Sequence, residues 1–590
     1  MTAATPPPSD PPSSSATSAL GDPTTIVTAL GSLRGALDAA ELTLDLPDVA
    51  PGRAARVELR DQIDDYLIPR LQRLDAPLLA VLGGSTGSGK STITNTIAGA
   101  PVSPSGVLRP TTRAPVLLCH PDDAAWFTGA DLLPELARHT GDGTPTGAVL
   151  KIVPVDTMTP GLAIIDAPDI DSIESANRDL ATQLLAAADL WLFVTTAVRY
   201  ADAVPWEFLE RAQARGTQLS VVINRVPEGA ADQIVPHLAE MLEGRGLHDV
   251  RLFAFDEIDP GDVVDSALPA GSVDPLADHL DGLASDAEAR AEVVRSTLQG
   301  ALASVEGRAQ TVLAALRAQD ATAGELRASL ERTYDEARAA IADDLSGGTL
   351  LRAEVLDRWQ ELIGTAELMR ALQSRISRLR DRLGSFLRGR TAQAASVQGE
   401  ITSTLEQLLV DHADAAALRT VQRWQALPGG SQVLRDADGQ IPRRLERMAP
   451  EVRSELPREI TAWQDELLSL VGERGAGKRS VARVLAFGVN SVGVALMIVV
   501  FSQTGGLTGG EVAVASGTAA VSQTLLTALF GEQAVRDLAT KARQLLSDRI
   551  ERLLDTDANR FRSRLWSTVT PPETADTLES AIADWRRAQP

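Results

Sequence analysis

Residues 78–92 read LLAVLGGSTGSGKST, an apolar run followed by a glycine-rich loop. Residues 84–91 match G-x-x-x-x-G-K-[ST], between an apolar strand-like run and a helical pattern, the context that this motif requires. Glycines allow successive backbone N–H groups to converge on an anion, and the positive end of the following helix points to the same place. The motif therefore predicts a nucleotide-binding loop. Its predicted binding residues are Gly84, Ser85, Thr86, Gly87, Ser88, Gly89, Lys90, Ser91 and Thr92.

Two side chains of this loop have specific expected roles. The ammonium of Lys90 is expected to reach the β- and γ-phosphates of a nucleoside triphosphate, and the hydroxyl of Ser91 is expected to ligate Mg²⁺. The alternative is a chance Gly/Ser turn between a strand and a helix. Because the motif has the required strand and helix on its two sides, we favour the nucleotide site.

The sequence from residue 77 to about 260 alternates apolar runs with helical patterns. Continuous apolar strands separated by helices are typical of a mostly parallel sheet that is covered on both faces. We therefore expect an α/β domain over residues 77–260. The expected strands are 78–82, 115–119, 148–155, 161–165, 189–195, 218–224 and 250–255, and the expected helices are 90–99, 173–188, 206–215 and 230–244.

Composition excludes several other classes of protein. The 590 residues have a formal net charge of −23, which argues against a generally cationic surface for nucleic acid. A single cysteine excludes an intramolecular disulfide framework, and the six histidines show no H-E-x-x-H spacing for a metal. The first residues lack the basic and apolar regions of a secretory signal, so a reducing cytoplasm is expected.

Beyond residue 260 the strand signals fade and long helical patterns follow. We expect residues 24–76, 261–480 and 532–590 to form a helical bundle or stalk. Residues 1–23 are rich in Pro, Ser and Thr, which predicts a disordered tail. Residues 481–531 are expected to form an apolar helical hairpin. The predicted fold is thus an α/β P-loop domain with a mostly parallel sheet, joined to a long helical bundle that carries this hairpin.

Three further motifs occur in a fixed order after the phosphate loop. LRPTTRAP occupies residues 108–115, GLAIIDAPD occupies 161–169, and VVINRVP occupies 221–227. A loop threonine, an aspartate at one strand end and an asparagine at a later strand end follow one another in this way in G domains. The chain resembles the translation-factor-like GTPases, specifically the large bacterial dynamin-like group of the actinobacterial type. The arrangement of a G domain, a helical stalk and a late apolar hairpin is also similar to that group.

The resemblance implies roles for four residues. Thr112 would be the loop threonine that closes on Mg²⁺ and the γ-phosphate, with neighbouring Thr111 as the less favoured candidate. Asp166 would hold Mg²⁺, so that the metal site comprises Ser91, Thr112 and Asp166. Asn224 would face the base, with the stem of Arg225 against it. Lys90, Thr112 and Asp166 would be the residues required for hydrolysis, and GTP and Mg²⁺ would be the ligands.

The chain also departs from the pattern of guanine-specific proteins. Asp169 stands where D-x-x-G has glycine, and Pro227 stands where N-K-x-D has an aspartate. Without that carboxylate, discrimination against adenine loses a contact worth ~10²-fold, so the base stays open between GTP and ATP. No glutamine follows Asp169, and Thr86 stands where the loop of dynamin has one. Hydrolysis is therefore expected to be slow until a second G domain or another partner completes the site.

The apolar hairpin and one arginine-rich segment are the two candidates for membrane contact. Residues 484–501 contain no charged side chain and at 1.5 Å per residue would be ~27 Å long, close to the hydrocarbon thickness of a bilayer. Residues 512–531 are less apolar, and basic residues lie outside both ends of the pair, which favours a cytoplasmic location for both ends. A buried hairpin in a soluble core is the alternative. Residues 368–390 form a second, arginine-rich candidate, for which packing inside the bundle is favoured over a lipid surface.

These features predict a membrane-associated nucleoside triphosphatase. The resemblance implies GTP hydrolysis coupled to membrane remodelling or fusion, by a homo-oligomer or paired dynamin-like chains at the cytoplasmic face of the cell membrane, without nucleic acid. Two alternatives stay open. One is a membrane scaffold gated by nucleotide with little turnover, and the other is an ATP-specific P-loop protein.

Overall fold

The computed structural model divides into two compact units, which are described separately. The first unit comprises Met1–Leu42, Pro47–Arg317 and Thr570–Pro590, and the second comprises Thr43–Leu46 and Ala318–Val569. The structure describes residues 22–104, 114–129, 132–133, 135–141, 143, 145, 149–172, 175–248, 250–346, 391–475 and 532–589.

The first unit contains an eight-stranded sheet. Its strands are β1 Leu78–Gly84, β2 Val116–Cys119, β3 Ala137–His139, β4 Val149–Pro154, β5 Leu162–Asp166, β6 Leu190–Thr196, β7 Gln218–Val226 and β8 Arg251–Asp256. They lie side by side in the order β3-β4-β2-β5-β1-β6-β7-β8. Only the β2–β5 pair is antiparallel among these neighbours.

The central strands are buried on both faces because helices cover the two sides of the sheet. Leu79 and Val81 of β1 belong to one apolar core, and Ala80 and Leu82 belong to the other. A strand between two cores must be apolar at every position, which explains the unbroken apolar run that precedes the glycine-rich loop. The prediction of an α/β fold with a mostly parallel sheet is confirmed.

The helices of the first unit follow the predicted pattern closely. The terminal helices pack together, since the first helix of the described chain contacts Glu573–Ala588. Asp22 begins that first helix and accepts hydrogen bonds from the backbone N–H groups of Thr24 and Thr25. The helices are α1 Pro23–Ala39, α2 Val49–Gln62, α3 Ile68–Gln72, α4 Lys90–Ala98, α5 Ala124–Thr128, α6 Ser175–Ala186, α7 Ala203–Arg215, α8 Ala231–Glu243, α9 Asp274–Ser285, α10 Ala287–Ser346 as far as Arg317, and Glu573–Ala588; a π-helix, Ile63–Leu67, joins α2 to α3.

The described residues of the second unit form helices joined by turns and loops, without a β-strand among them. Its core contains large aromatic side chains whose polar atoms are hydrogen-bonded: Trp424 donates to the Leu326 carbonyl at 2.9 Å, and Tyr334 donates to Asp557 at 2.6 Å. This region confirms the prediction of long helices after the α/β domain. Its helices are α10 from Ala318 onward, Thr391–Gln425, Gly430–Leu434, Pro450–Gly475 and Glu532–Thr568, with a 3₁₀ turn at Arg443–Glu446.

Several predicted segments lie outside the described residues. These are residues 1–21 of the predicted tail, the arginine-rich segment 368–390 and the apolar hairpin 481–531. Among the helices that the structure does describe, none combines the length and the apolar character needed to cross a bilayer.

A close backbone approach between α7 and α10 gives a test of the packing in the first unit. Gly216 follows α7 with a φ of 71°, and a Cβ atom on Gly300 of α10 would lie 2.7 Å from the Cα atom of Gly216. We expect Gly300→Ala to destabilise the protein by about 1–3 kcal/mol, because the neighbouring backbone must shift. Gly307→Ala, in the same helix with open space around it, is the matched control and should raise stability slightly. Thermal unfolding of both variants measures the difference, and equal melting temperatures would contradict the packing.

Candidate functional site

The glycine-rich loop connects β1 to α4 along a path that excludes side chains at two positions. A Cβ atom on Gly84 would lie 2.1 Å from the Val194 carbonyl oxygen of the neighbouring strand β6. Gly89 has a φ of 102°, and a Cβ atom there would lie 2.2 Å from Nδ2 of Asn224. The two glycines therefore let the loop pass close to the ends of β6 and β7. The loop leads directly into α4, whose N-cap residue is Gly89, and a loop followed by a helix N-terminus is a common site for anions.

Lys90 is buried at the start of α4, and its ammonium has three neighbours. Nζ donates to the Gly84 carbonyl at 2.8 Å, to the Ser85 carbonyl at 3.3 Å and to Oδ1 of Asp169 at 2.6 Å. Two of these acceptors belong to the loop itself, so the lysine stem folds back over the loop. The third acceptor is the aspartate that replaces the glycine of D-x-x-G. This contact was not foreseen from the sequence.

Asp166 ends β5 next to Lys90 and Ser91, as the motif predicts. Its side chain is fully buried, and Oδ2 accepts hydrogen bonds from the hydroxyls of Ser91 at 2.6 Å and Ser103 at 2.5 Å. Its Oδ1 atom has no hydrogen-bond partner among the described residues. Burial raises the pKa of Asp166, although the charge of Lys90 and the hydrogen bond from Ser103 act in the opposite direction. The site thus contains a buried carboxylate with an unused acceptor.

These residues fit a magnesium ion. Mg²⁺ prefers oxygen ligands and is commonly bound through one or two protein groups together with substrate phosphates and water. The unused oxygen of Asp166, next to the hydroxyl of Ser91, is such a group. Within the described part of the chain there is no cluster of three or more His, Cys, Asp or Glu side chains able to hold a metal by themselves. Asp166 and Ser91 would thus supply the protein oxygens to a Mg²⁺ ion whose remaining ligands are phosphate and water.

Two serine side chains of the loop have unused polar atoms as well. The hydroxyls of Ser85 and Ser88 are buried and have no hydrogen-bond partner among the described residues. Buried polar atoms without a partner are uncommon in folded proteins, because leaving them unpaired costs about 1–3 kcal/mol each. Together with Asp166 they make three buried polar groups around one loop that are not saturated by the protein. Thr92 lies half-buried in the first turn of α4.

A hydrogen-bonded group that the sequence did not reveal surrounds Thr86. Both its backbone N–H and its hydroxyl donate to Oδ1 of Asp171, at 2.6 and 2.8 Å. Arg199, which follows β6, donates to Oδ2 of Asp171 at 3.0 Å and to the Thr86 carbonyl at 3.3 Å. Burial alone would raise the pKa of Asp171, but the hydrogen bonds from Thr86 and Arg199 outweigh it and lower the pKa. The hydroxyl of Thr86 is therefore occupied by a carboxylate.

Asn224 and Arg225 lie at the end of β7, beside the phosphate loop. Nδ2 of Asn224 donates to the Ser88 carbonyl at 2.9 Å, and its Oδ1 accepts from the backbone N–H of Arg225 at 2.9 Å. Arg225 has a φ of 56°, in the left-handed region, where the pairing of β7 with β8 shifts register. Asn224 thus joins the end of β7 to the phosphate loop.

The structure brings most of the predicted site residues together at one end of the sheet. The phosphate loop, Asp166 and Asn224 lie at the carboxyl ends of β1, β5 and β7, where parallel sheets bind ligands. Thr111 and Thr112 lie outside the described residues. Asp169, Asp171 and Arg199 are additional site residues. The only sequence signal for any of them was the departure from D-x-x-G at Asp169.

The chain is similar in part to a GTPase of known sequence and, at low TM-scores, to several solved structures. No protein family model matches this sequence. The chain is 27% identical over 159 residues to a probable transmembrane GTPase, FZO-like, chloroplastic, of Arabidopsis thaliana; the match covers 27% of this chain and 16% of that protein.

Among solved structures, the chain is similar to an oligomerised bacterial dynamin pair, with 11% identity and a TM-score of 0.37 over 93% of this chain and 95% of that one. It is also similar to Era in complex with MgGDPNP and a 16S ribosomal RNA segment, with 18% identity and a TM-score of 0.22 over 31% of this chain and 51% of that one.

The unused oxygen of Asp166 gives a prediction about stability and pH. A carboxyl whose pKa is raised by folding binds more protons in the folded state, so its contribution to stability falls as the pH rises above the unfolded pKa of about 3.9. We expect Asp166→Asn to have a free energy of unfolding about 1–3 kcal/mol higher than that of the wild type at pH 8 without nucleotide or Mg²⁺. Urea titration measures this as a higher midpoint of unfolding. The difference should shrink towards pH 4.5.

The matched control for this prediction is Asp122→Asn, which removes a carboxylate that is 83% exposed. It should change stability little at either pH. A loss of stability in Asp166→Asn at pH 8 would show that the carboxylate is satisfied in the folded protein, in contradiction to the site geometry.

Proposed function

We propose that this protein is a magnesium-dependent nucleoside triphosphatase of the dynamin-like type that hydrolyses GTP. The observation that carries the proposal is the set of buried, unsaturated polar groups around the phosphate loop, above all the unused Oδ1 of Asp166 beside Ser91 and Lys90. A nucleoside triphosphate with Mg²⁺ supplies phosphate oxygens and a cation to such groups. Similarity to GTPases supports the same proposal.

The chain's own residues would act mainly by binding and orienting the triphosphate. Backbone N–H groups of the phosphate loop and the N-terminus of α4 would bind the phosphates, apart from the N–H groups of Thr86 and Ser88, which donate to Asp171 and to the Ser85 carbonyl. Lys90 would turn its ammonium towards the γ-phosphate. Ser91 and Asp166 would hold Mg²⁺, with Thr112 closing the site as the family resemblance implies. Bound Mg²⁺ would neutralise the charge that develops on the phosphate oxygens.

The same geometry leads us to expect slow turnover by a single chain. Thr86 stands where the dynamin loop has a glutamine, and its hydroxyl already donates to Asp171. It is therefore not available to orient an attacking water unless that contact breaks. We propose that pairing with a second copy of this chain completes the site, and that hydrolysis accelerates with protein concentration.

The base is proposed to lie beyond Asn224, with the Arg225 stem against it. Asn224 is already attached to the phosphate loop through the Ser88 carbonyl, so a nucleotide on the loop would extend past this side chain. GTP is favoured through the similarity to GTPases, whereas Pro227 in place of an aspartate supports the alternative of an ATP-specific protein.

Membrane association is proposed for the apolar hairpin 481–531. Its support is the uncharged run 484–501 with basic residues outside both ends of the hairpin. In this proposal the nucleotide domain, residues 77–260, is connected to the hairpin through helices in 24–76, 261–480 and 532–590. The protein would act at the cytoplasmic face of the cell membrane in remodelling or fusion. A membrane scaffold with little turnover is the second candidate, and the occupied Thr86 hydroxyl favours it.

Removal of the loop lysine tests the nucleotide site. Lys90→Ala should weaken binding of fluorescent GTP at least tenfold, because phosphate oxygens lose a buried cation. Lys151→Ala, in β4, is the matched control and should bind as the wild type does. Competition by unlabelled ATP and GTP then identifies the base. Equal binding by Lys90→Ala and the wild type would contradict the site.

Lipid vesicles distinguish the two candidate functions. We expect GTP turnover per molecule to rise with protein concentration and with anionic vesicles, because both promote pairing of nucleotide domains. A scaffold would bind vesicles and nucleotide without faster turnover. Sedimentation with vesicles, measured in parallel, detects membrane binding separately from hydrolysis, and protein that stays wholly in the supernatant would contradict the membrane proposal.

A further inference from the structure

The loop after β5, residues 167–172, is attached to the phosphate loop at two points by carboxylates. Asp169 forms an ion pair with Lys90, with 2.6 Å between Oδ1 and Nζ, and the two side chains are 13% and 4% exposed. Asp171 accepts from the N–H and the hydroxyl of Thr86. The charge on Asp169 therefore lies beside the ammonium that a triphosphate would also contact.

The backbone around Asp169 restricts how far this carboxylate can move. The N–H of Ala167 donates to the Leu82 carbonyl at 3.1 Å, and the N–H of Ser172 donates to the Asp169 carbonyl at 3.3 Å. Ala167 and Ile170 are buried in the apolar core on one face of the sheet. Asp169 can thus leave Lys90 only by rotation of its own side chain or by a rearrangement of the loop after β5.

We propose that Asp169 is a specificity-determining residue that competes with the γ-phosphate for Lys90. This inference rests on the proposed nucleotide site and makes it more specific. A diphosphate brings only its β-phosphate to Lys90 and leaves the γ position empty, so the ammonium can keep Asp169 as a partner when a diphosphate binds. A triphosphate places a second anion next to the same ammonium, and two like charges at a buried site repel each other strongly.

In this proposal, binding of a triphosphate separates the Asp169 carboxylate from the Lys90 ammonium and displaces Asp169. Because Asp169 and Asp171 belong to one short loop, displacement of Asp169 would also disturb the contacts of Asp171 with Thr86 and Arg199. The presence of a γ-phosphate would in this way weaken the hydrogen bond between Asp171 and the hydroxyl of Thr86, the residue that stands where dynamin has a glutamine. A protein with glycine at residue 169 has no such competitor, so the effect follows from this chain's own departure from D-x-x-G.

The experiment measures the ratio of dissociation constants for a triphosphate and a diphosphate. Wild type, Asp169→Asn and Asp169→Gly are titrated with fluorescent GDP and with a fluorescent non-hydrolysable GTP analogue at fixed Mg²⁺, and with the adenine pair. We expect both variants to favour the triphosphate over the diphosphate by about tenfold more than the wild type does. Asp122→Asn removes one exposed carboxylate elsewhere and should leave the ratio unchanged.

Hydrogen–deuterium exchange of residues 167–172 provides a readout independent of affinity. In the wild type, exchange should rise with the triphosphate analogue and stay low with the diphosphate, whereas in Asp169→Asn it should already be high without nucleotide. Thermal melting followed by circular dichroism tests whether each variant is folded. If Asp169→Asn does not fold, Asp169→Gly is used in its place.

The possible results separate this inference from the proposed function. A wild type that binds both nucleotides, with the same ratio in all variants, overturns the role of Asp169 and leaves the nucleotide site intact. If Asp122→Asn changes the ratio as much as the Asp169 variants do, the role of Asp169 is also overturned, because the change would then result from net charge alone. Binding by Asp169→Asn but not by the wild type supports it, and absence of binding in every protein overturns both proposals.

Discussion

The arrangement around the Lys90 ammonium is the constraint on which the site depends. A buried ammonium is stable only when its charge is balanced and its donors are used, since an unpaired buried cation is strongly destabilising. Here the loop contributes two carbonyl oxygens and the loop after β5 contributes the Asp169 carboxylate. In the proposed function, phosphate oxygens would accept from the same ammonium in place of one or more of these three acceptors. The ammonium that helps to hold the loop together is therefore also the group proposed to bind the nucleotide, so that nucleotide binding would alter contacts that stabilise the fold.

The sheet order explains why distant segments meet at this ammonium. β1 lies between β5 and β6, so the phosphate loop, which continues β1, has the ends of both strands as neighbours. β5 delivers Asp166 and the loop that follows it, and the chain after β6 delivers Arg199. β7, one strand further, delivers Asn224 to the Ser88 carbonyl. Each contact joins residues far apart in sequence, and parallel pairing places their carboxyl ends at one edge.

The sequence predicted those parts of the structure that local patterns determine. The central strands are buried on both faces and so consist of unbroken apolar runs, and β1, β5 and β6 were located to within a residue or two. β3 was missed because it is three residues long and none of them is fully buried. The antiparallel pairing of β2 with β5 could not be predicted, because an apolar run indicates a buried strand but not its direction. The contact between Asp171 and Thr86 was unpredictable because it depends on how two loops meet.

Departures from the family pattern affect some parts of the site more than others. The phosphates would be bound largely by backbone N–H groups, and glycine is required where the backbone passes close to Val194 and Asn224, so few substitutions are possible there. The groups that distinguish one nucleotide from another are side chains on loops after strands, which can change without altering the fold. Asp169 and Pro227 are both at such positions. The chain can therefore keep a phosphate loop while changing which nucleotide, and which number of phosphates, it favours.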